Sequence, residues 1–182
     1  MNIAVYGGSF NPPHIGHALV MSWLLWSRRA EAVWLLPTYD HAFGKNLAPW
    51  DDRLALCEAM AELVNGPVSV CTIERELPAP SYTIDTLTEL ARRHSEHRFR
   101  LVIGSDNLAV LDKWKDWDRI AAGFDPIVVG RAGYPSPEGA VVFPEVSSTE
   151  VRRRLAQGEA VDHLVPGAVL DRLRPGLYSA GG

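Results

Sequence analysis

Segments typical of β-strands alternate with segments typical of α-helices along almost the whole chain. Apolar runs predict strands at residues 2–6, 32–36, 68–74, 99–104, 126–130 and 140–143. The segments between and after them predict helices at residues 17–29, 50–64, 83–94, 117–123, 147–158 and 166–174. Strands that alternate with helices pair in parallel through right-handed crossovers. We therefore expect an α/β fold, a doubly wound parallel sheet with helices on both faces.

Length and composition favour one domain over residues 1–182. A chain of 182 residues with 47% hydrophobic residues can bury a sizeable core. There is no internal repeat, and the Pro- and Gly-rich stretch at 133–139 is too short to link two domains. The last two predicted helices form a small helical C-terminal region at about 147–182.

Composition also limits the expected partners and location. The net charge of -4 gives no general bias towards nucleic acid. No apolar run approaches the roughly 20 residues that span a membrane, and no basic segment precedes the first apolar run as in a secretory signal. Cys57 and Cys71 lack metal-type spacing, which favours free thiols in a reducing cytoplasm and predicts no protein metal site.

Four unusual stretches directly follow predicted strands or lead into a predicted helix. They are "GGSFNPPHIGH" (7–17), "PTYDHAFGK" (37–45), "GSDN" (104–107) and the run leading into "SSTEVRRR" (147–154). In open α/β sheets, ligands bind beyond the carboxyl ends of the strands, where the strand order reverses. We expect these stretches to converge on one crevice there.

The opening stretch has the composition of a phosphate site. Gly7 and Gly8 let a ligand approach the backbone closely. His14 and His17 project from one face of the first turn if a helix begins near them, and the N–H groups of that helix end attract anions. A tight strand-to-helix turn with incidental histidines is the structural alternative. The pattern H-x-G-H after a Gly-Gly turn favours the functional interpretation, although the glycine patterns of dinucleotide folds and P-loops are absent.

Several motifs in one order resemble the H-x-G-H nucleotidyltransferase superfamily, and within it the nicotinate/nicotinamide mononucleotide adenylyltransferases. The opening motif G-G-x-F-x-P-x-H-x-G-H is matched by Gly7, Gly8, Phe10, Pro12, His14, Gly16 and His17. The late motif [IV]-S-S-T-x-[IV]-R is matched by Val146, Ser147, Ser148, Thr149, Val151 and Arg152. Residues 80–87 resemble the family's S-Y-T-x-D-T-L, and residues 103–117 resemble its G-x-D…W…W segment. The resemblance covers residues 3 to about 155 and implies a Rossmann-like nucleotidyltransferase fold.

The resemblance implies adenylyl transfer from ATP to a pyridine mononucleotide, with pyrophosphate released, in NAD biosynthesis. The nucleophile is already a phosphate anion, so the site needs in-line positioning and charge stabilisation rather than a general base. Mg²⁺ is expected to accompany ATP as its cofactor and to keep most of its waters, without a dedicated protein cage.

The resemblance also implies roles for individual residues. The implied catalytic residues are His14, His17, Lys45 and Arg152. The implied ATP-binding residues are Gly7, Gly8, Ser9, Phe10, Gly104, Asp106, Arg131, Ser148 and Thr149. The implied mononucleotide-binding residues are Asn11, Thr83, Trp114 and Lys115, with Trp114 stacking on the pyridine ring.

Three of these assignments, and the helix start at Ser147, have a structural alternative. Asp106 is also a candidate N-cap of a helix that follows it. Ser147 with Glu150 fits a capping box. Trp114 is also a candidate for core packing, and Lys115 either favours a nicotinate carboxylate or points to solvent.

The loop at 37–47 departs from the pattern of many bacterial members, which read P-P-H-K after the second strand. Its Pro37, Asp40, Lys45 and Leu47 look more like the eukaryotic members. Lys45 remains available as a phosphate-binding cation. The departure leaves the choice between nicotinate and nicotinamide mononucleotide open.

Two other functions remain as alternatives, one within the enzyme class and one outside it. The same motifs serve cytidylyl- and pantetheine-phosphate transferases, and a nucleotide-binding module without turnover would also keep the fold. The intact H-x-G-H and S-S-T-x-x-R motifs argue against such a module. The sequence leaves the oligomeric state open, with a homodimer as one alternative.

Overall fold

The computed structural model describes residues 1–42 and 44–178. It contains a six-stranded sheet in which all neighbouring strands are parallel. The strands are β1 (Asn2–Gly8), β2 (Ala32–Pro37), β3 (Val68–Val70), β4 (Arg98–Gly104), β5 (Ile127–Arg131) and β6 (Val142–Phe143). Their order in the sheet is β3-β2-β1-β4-β5-β6. The chain thus builds the sheet in one direction from β1 and then returns to add β4 on the other side of β1.

Helices flank the sheet on both faces. The α-helices are α1 (Ile15–Trp26), α2 (Trp50–Leu63), α3 (Thr83–Arg93), α4 (Trp117–Phe124), α5 (Ser148–Ala156) and α6 (Gly167–Asp171). Two 3₁₀ helices cover Ile73–Glu76 and Ser105–Lys113. The predicted doubly wound α/β fold is confirmed. No helix in the described ranges combines the length and apolar character needed to cross a membrane.

The central strand shows why the sheet needs cover on both sides. Ile3 and Val5 lie in one buried cluster with residues of α3 and α4. Ala4, between them, lies in a second cluster with residues of α1, α2, α5 and α6. Successive side chains of a strand point to opposite faces, so each face of β1 requires its own helical layer. The helical layers predicted on both faces of the sheet are confirmed.

The predicted strand at 68–74 is wrong in its second half. β3 ends at Val70, and the chain turns into a 3₁₀ helix after the Cys71 N–H donates to the carbonyl of Leu35 (2.8 Å). The turn carries Glu74, a buried carboxylate, beneath the loop that follows β2. A long-range polar contact therefore ends a strand that local apolar character would have continued.

Other boundaries differ by a few residues from the predictions. The predicted strand at 140–143 pairs only over Val142–Phe143, at the edge of the sheet. The helix predicted from residue 17 begins at Ile15, because His14 already acts as its N-cap. The predicted helix at 166–174 is the shorter α6, and residues 179–182 of the predicted C-terminal region lie outside the described residues. Cys57 and Cys71 are free thiols, as expected.

Replacing Leu24 with Ala tests the packing of α1 on the sheet. Leu24 is 0% exposed, so its truncation should lower the free energy of unfolding by about 2–5 kcal/mol. Leu63→Ala, on α2 at 46% exposure, is the control and should cost far less. Urea unfolding of both variants makes the comparison, and equal losses would contradict this placement of α1.

Candidate active site

The carboxyl ends of β1, β4 and β5 open onto one crevice of about 710 Å³. It lies where the strand order reverses, between β1 and β4. All the sequence-predicted site residues line it: Gly7, Gly8, Ser9, Phe10, Asn11, His14, His17, Lys45, Thr83, Gly104, Asp106, Trp114, Lys115, Arg131, Ser148, Thr149 and Arg152. The four unusual stretches of the sequence therefore meet at one place.

His14 and His17 form a fixed pair at the start of α1. The backbone N–H of His14 donates to Nδ1 of His17 (3.0 Å), and the two ring centroids lie 3.8 Å apart. An imidazole nitrogen that accepts a hydrogen bond carries no proton, so a neutral His17 carries its proton on Nε2. The backbone thus selects the tautomer in which His17 is a hydrogen-bond donor at Nε2.

Burial keeps both histidines neutral. Desolvation, followed by the positive charge of Arg131, lowers the pKa of His14 to about 3. Desolvation, followed by the neighbouring His14 and by Arg131, holds the pKa of His17 well below its ordinary value. In the free protein near neutral pH, the pair therefore supplies N–H dipoles, while lysine and arginine side chains supply the positive charge of the crevice.

Asp106 is held by an ion pair rather than by a helix end. Its Oδ2 accepts from Nη1 of Arg131 (2.8 Å), and the 3₁₀ helix that begins at Ser105 has Gly104 as its N-cap, without a side-chain cap. The alternative interpretation of Asp106 as a helix cap is therefore wrong. The Oδ1 atom is buried without a hydrogen-bond partner among the described residues. A Cβ at Gly104 would lie 2.3 Å from it, which explains the glycine there.

The late motif is joined to the opening motif by hydrogen bonds. The hydroxyl of Ser148 donates to the carbonyl of Pro12 (2.8 Å), and Nη1 of Arg152 donates to the carbonyl of Asn11 (2.7 Å). Nη2 of Arg152 also reaches the hydroxyl of Thr149 (3.3 Å). These contacts place the first turn of α5 beside the first turn of α1, at the same crevice.

Ser147 is confirmed as the N-cap of α5. Its hydroxyl accepts from the backbone N–H of Glu150 (3.2 Å). The carboxylate of Glu150 instead binds Arg153 (2.8 Å) and Arg154 (2.7 Å), so the predicted capping box is supported in one direction only. Because the hydroxyl of Ser147 caps the helix, the hydroxyl of Ser148 is available for its contact with the opening motif.

The far side of the crevice contains the predicted mononucleotide residues. Trp114 is half-buried and packs edge-to-face on Trp117, with ring centroids 5.8 Å apart. Its packing and crevice-lining roles therefore coexist. Nζ of Lys115 binds Asp85 (2.7 Å) and lies 4.8 Å from the ring of Tyr82, so this lysine is held at the rim.

Comparison with known proteins shows the family. A family model described as cytidylyltransferase-like matches residues 5–154. A protein of Anaeromyxobacter sp. (strain K) named "Probable nicotinate-nucleotide adenylyltransferase" is 49% identical over 180 residues, covering 97% of this chain and 96% of the relative. A protein of the same name from Myxococcus xanthus (strain DK1622) is 41% identical, covering 98% and 95%. The chain belongs to the nicotinate-nucleotide adenylyltransferase family.

A solved structure supports the fold assignment within this family. "Plasmodium falciparum nicotinic acid mononucleotide adenylyltransferase complexed with NaAD" superposes with a TM-score of 0.77 at 16% identity, covering 94% of this chain and 93% of that one. At this identity, the likeness shows the fold alone. The predicted Rossmann-like nucleotidyltransferase fold and the resemblance that suggested it are both confirmed.

Sequence reasoning missed Arg53, which organises one wall of the adenylyltransferase crevice. The residue is 1% exposed, and its guanidinium donates to the carbonyls of Ser9 (3.1 Å), Thr38 (2.8 Å) and Ala48 (2.9 Å). It thereby fixes the loop after β1 and both ends of the loop after β2. The available signal was an arginine at a position that helical spacing places on the buried face of the helix predicted at 50–64.

Sequence reasoning also missed Glu74, which contacts the loop after β2 in the same wall of the crevice. Its carboxylate accepts from the backbone N–H of Tyr39 (3.0 Å) and the hydroxyl of Thr86 (3.3 Å). Burial raises the pKa of this carboxyl group. Glu74 and Arg53 therefore hold the ends of the loop that presents Lys45 at the crevice.

The burial of His14 predicts a pH-dependent stability. In the unfolded chain the imidazole takes up a proton near pH 6.5, whereas the folded protein resists protonation until about pH 3. The stability associated with the neutral ring is complete above pH 6.5 and is lost as the pH falls towards 3. His14→Gln removes this titration, so its free energy of unfolding should fall less steeply with acid than that of the wild type.

Urea unfolding at a series of pH values between about 7 and 4.5 measures this slope. His163→Gln, which replaces a half-exposed histidine, is the control for the loss of one imidazole from the chain. Identical slopes for wild type and His14→Gln would show that the ring is not buried in its neutral form.

Proposed function

We propose that the protein transfers the adenylyl group of ATP to the 5′-phosphate of nicotinic acid mononucleotide, forming the dinucleotide and pyrophosphate. The names of the relatives support this substrate pair. The observation that carries the proposal is the junction of the two motifs, in which Arg152 and Ser148 bind the Asn11–Pro12 segment beside the paired histidines. One crevice thereby combines two helix N-termini, two imidazoles and an arginine.

The reaction needs positioning and charge stabilisation. A phosphate oxygen of the mononucleotide attacks the α-phosphorus of ATP, and the bond from that phosphorus to the oxygen bridging to the β-phosphate breaks. The electron pair of that bond leaves with pyrophosphate. Because the nucleophile is already an anion, no general base or covalent enzyme intermediate is required.

The histidine pair and the cations have separate roles in this proposal. Nε2–H of His17 donates to the α-phosphate as charge builds on its oxygens. Arg152, Ser148 and Thr149, at the start of α5, bind the outgoing pyrophosphate end. Lys45, exposed on its anchored loop, neutralises the triphosphate from the opposite side.

Mg²⁺ would accompany ATP as part of the substrate. Among the residues that the structure describes, no group of three or more histidine, cysteine, aspartate or glutamate side chains is arranged to hold a metal ion. The charge of a Mg²⁺ ion bound with ATP would oppose the repulsion between the two phosphate groups that must meet.

The two nucleosides occupy opposite ends of the crevice. The Oδ1 atom of Asp106, which lacks a partner among the described residues, accepts from a ribose hydroxyl of ATP, and Gly104 leaves the room that this carboxylate needs. Trp114 and Thr83 face the mononucleotide, with the indole stacking on the pyridine ring. Lys115 at the rim favours an acceptor that carries a carboxylate.

Product analysis tests the assignment. Purified protein with ATP, Mg²⁺ and nicotinic acid mononucleotide should release pyrophosphate and form the dinucleotide. Parallel reactions contain nicotinamide mononucleotide, or CTP in place of ATP, or pantetheine phosphate as the acceptor. Turnover with CTP or pantetheine phosphate alone would assign another transferase, and binding of ATP without any turnover would assign a nucleotide-binding module.

His17→Ala tests the transition-state role of the Nε2–H donor. Loss of one preorganised donor typically lowers kcat by about 10²–10³-fold. ATP affinity should change several-fold at most, because other groups hold the ground-state phosphates. His17→Asn retains a donor and should recover part of the rate.

Single-turnover kinetics and separate calorimetric titration with ATP distinguish the two effects of this substitution. A His17→Ala protein that reacts near the wild-type rate would leave His17 as a structural residue of the turn.

A further inference from the structure

Asn11 joins three distant parts of the chain. The residue is 3% exposed, and its Oδ1 accepts from the backbone N–H of Ala48 (3.1 Å) and from the hydroxyl of Tyr178 (2.9 Å). An amide oxygen has two lone pairs, so these two donors use its acceptor capacity. The side-chain oxygen of Asn11 is therefore committed to holding the protein together rather than to the mononucleotide.

The backbone of Asn11 serves the reaction through Arg152. Its carbonyl accepts from Nη1 of Arg152 (2.7 Å), while Nη2 of the same guanidinium reaches Thr149 (3.3 Å). A planar guanidinium fixed at two of its nitrogens has one orientation, so the position of the Asn11 carbonyl sets where Arg152 presents its remaining N–H groups.

Tyr178 is held firmly enough to act as an anchor. Leu177 packs against the core cluster that contains residues of α1 and α2. Arg174 pairs with Asp52 (2.6 Å), and Arg172 pairs with Glu62 (2.7 Å), so two ion pairs tie this segment to α2. Burial raises the pKa of the Tyr178 phenol, which keeps its hydroxyl in the protonated, donating form.

We propose that Tyr178, which lies beyond the residues 5–154 matched by the family model, is a positioning residue for the transfer reaction. Its hydroxyl fixes the amide of Asn11, and the carbonyl of Asn11 fixes Arg152 against the departing pyrophosphate. The C-terminal segment thereby completes a site whose recognised motifs all lie earlier in the chain. This inference rests on the proposed function.

Tyr178→Phe removes the hydroxyl and keeps the packed ring. We expect kcat to fall by about tenfold, the size associated with one lost hydrogen bond. The KM values for ATP and mononucleotide should stay within about twofold, because binding groups remain in place. Tyr134→Phe, which removes a hydroxyl from a side chain 50% exposed, is the matched control and should retain the wild-type kcat and thermal midpoint.

A double-mutant cycle with Arg152→Lys distinguishes positioning from general stabilisation. If Tyr178 acts through Arg152, the Phe substitution should lower kcat much less in the Arg152→Lys background than in the wild type. Single-turnover measurements keep slow variants within range, and thermal unfolding of all four proteins confirms that each is folded under assay conditions.

If Tyr178→Phe keeps the wild-type kcat, the positioning role is wrong. It is also wrong if the loss of kcat caused by Tyr178→Phe is the same in the Arg152→Lys background as in the wild type. A fall in thermal midpoint with unchanged kcat of the folded enzyme assigns the hydroxyl to stability alone. If the wild-type protein forms no dinucleotide, both the proposed function and this inference are wrong. If the wild type is active and Tyr178→Phe is equally active, only the inference is wrong.

Discussion

The reversal of strand order between β1 and β4 is the constraint on which the site depends. β1 lies between β2 and β4, and the connections from β1 and β4 leave the sheet in opposite directions. A gap therefore opens at the carboxyl ends of these strands. The glycines that end β1 line the floor of the gap, the helix after β1 presents its first turn there, and Gly104 ends β4 on the other side. Ligand binding at this edge follows from topology before any side chain is considered.

Within this gap, the buried histidines act as neutral N–H dipoles, whereas lysine and arginine side chains carry the positive charge. The buried His14 and His17 are neutral, and one backbone hydrogen bond sets the tautomer of His17. Arg131 is paired with Asp106, which limits the charge it offers in the free protein. We infer that the site stabilises developing charge with these fixed donors, because donors that are already oriented need no reorganisation when the charge shifts.

Local sequence signals predicted the strand–helix alternation and the site residues that lie within motifs. The spacing of His14 and His17 indicated a shared helix end, because it is a property of neighbouring residues. The contacts of Arg53 and Tyr178 were not predictable in this way, since each joins residues far apart in the chain. The same reason explains the short β3, where a buried Glu74 and its partners outweigh local strand propensity. Sequence patterns identify the motif residues of the site, whereas the contacts that hold these residues in place depend on packing between distant parts of the chain.

In the proposed reaction, fixed donors assist one direct displacement at the α-phosphorus of ATP. Stereochemistry at that phosphorus tests it most directly. With ATP that carries a chiral phosphorothioate at the α position, a single in-line displacement inverts the configuration, and ³¹P NMR of the dinucleotide product reads the outcome. We expect inversion. Retention would indicate two successive displacements through an adenylylated side chain and would contradict it.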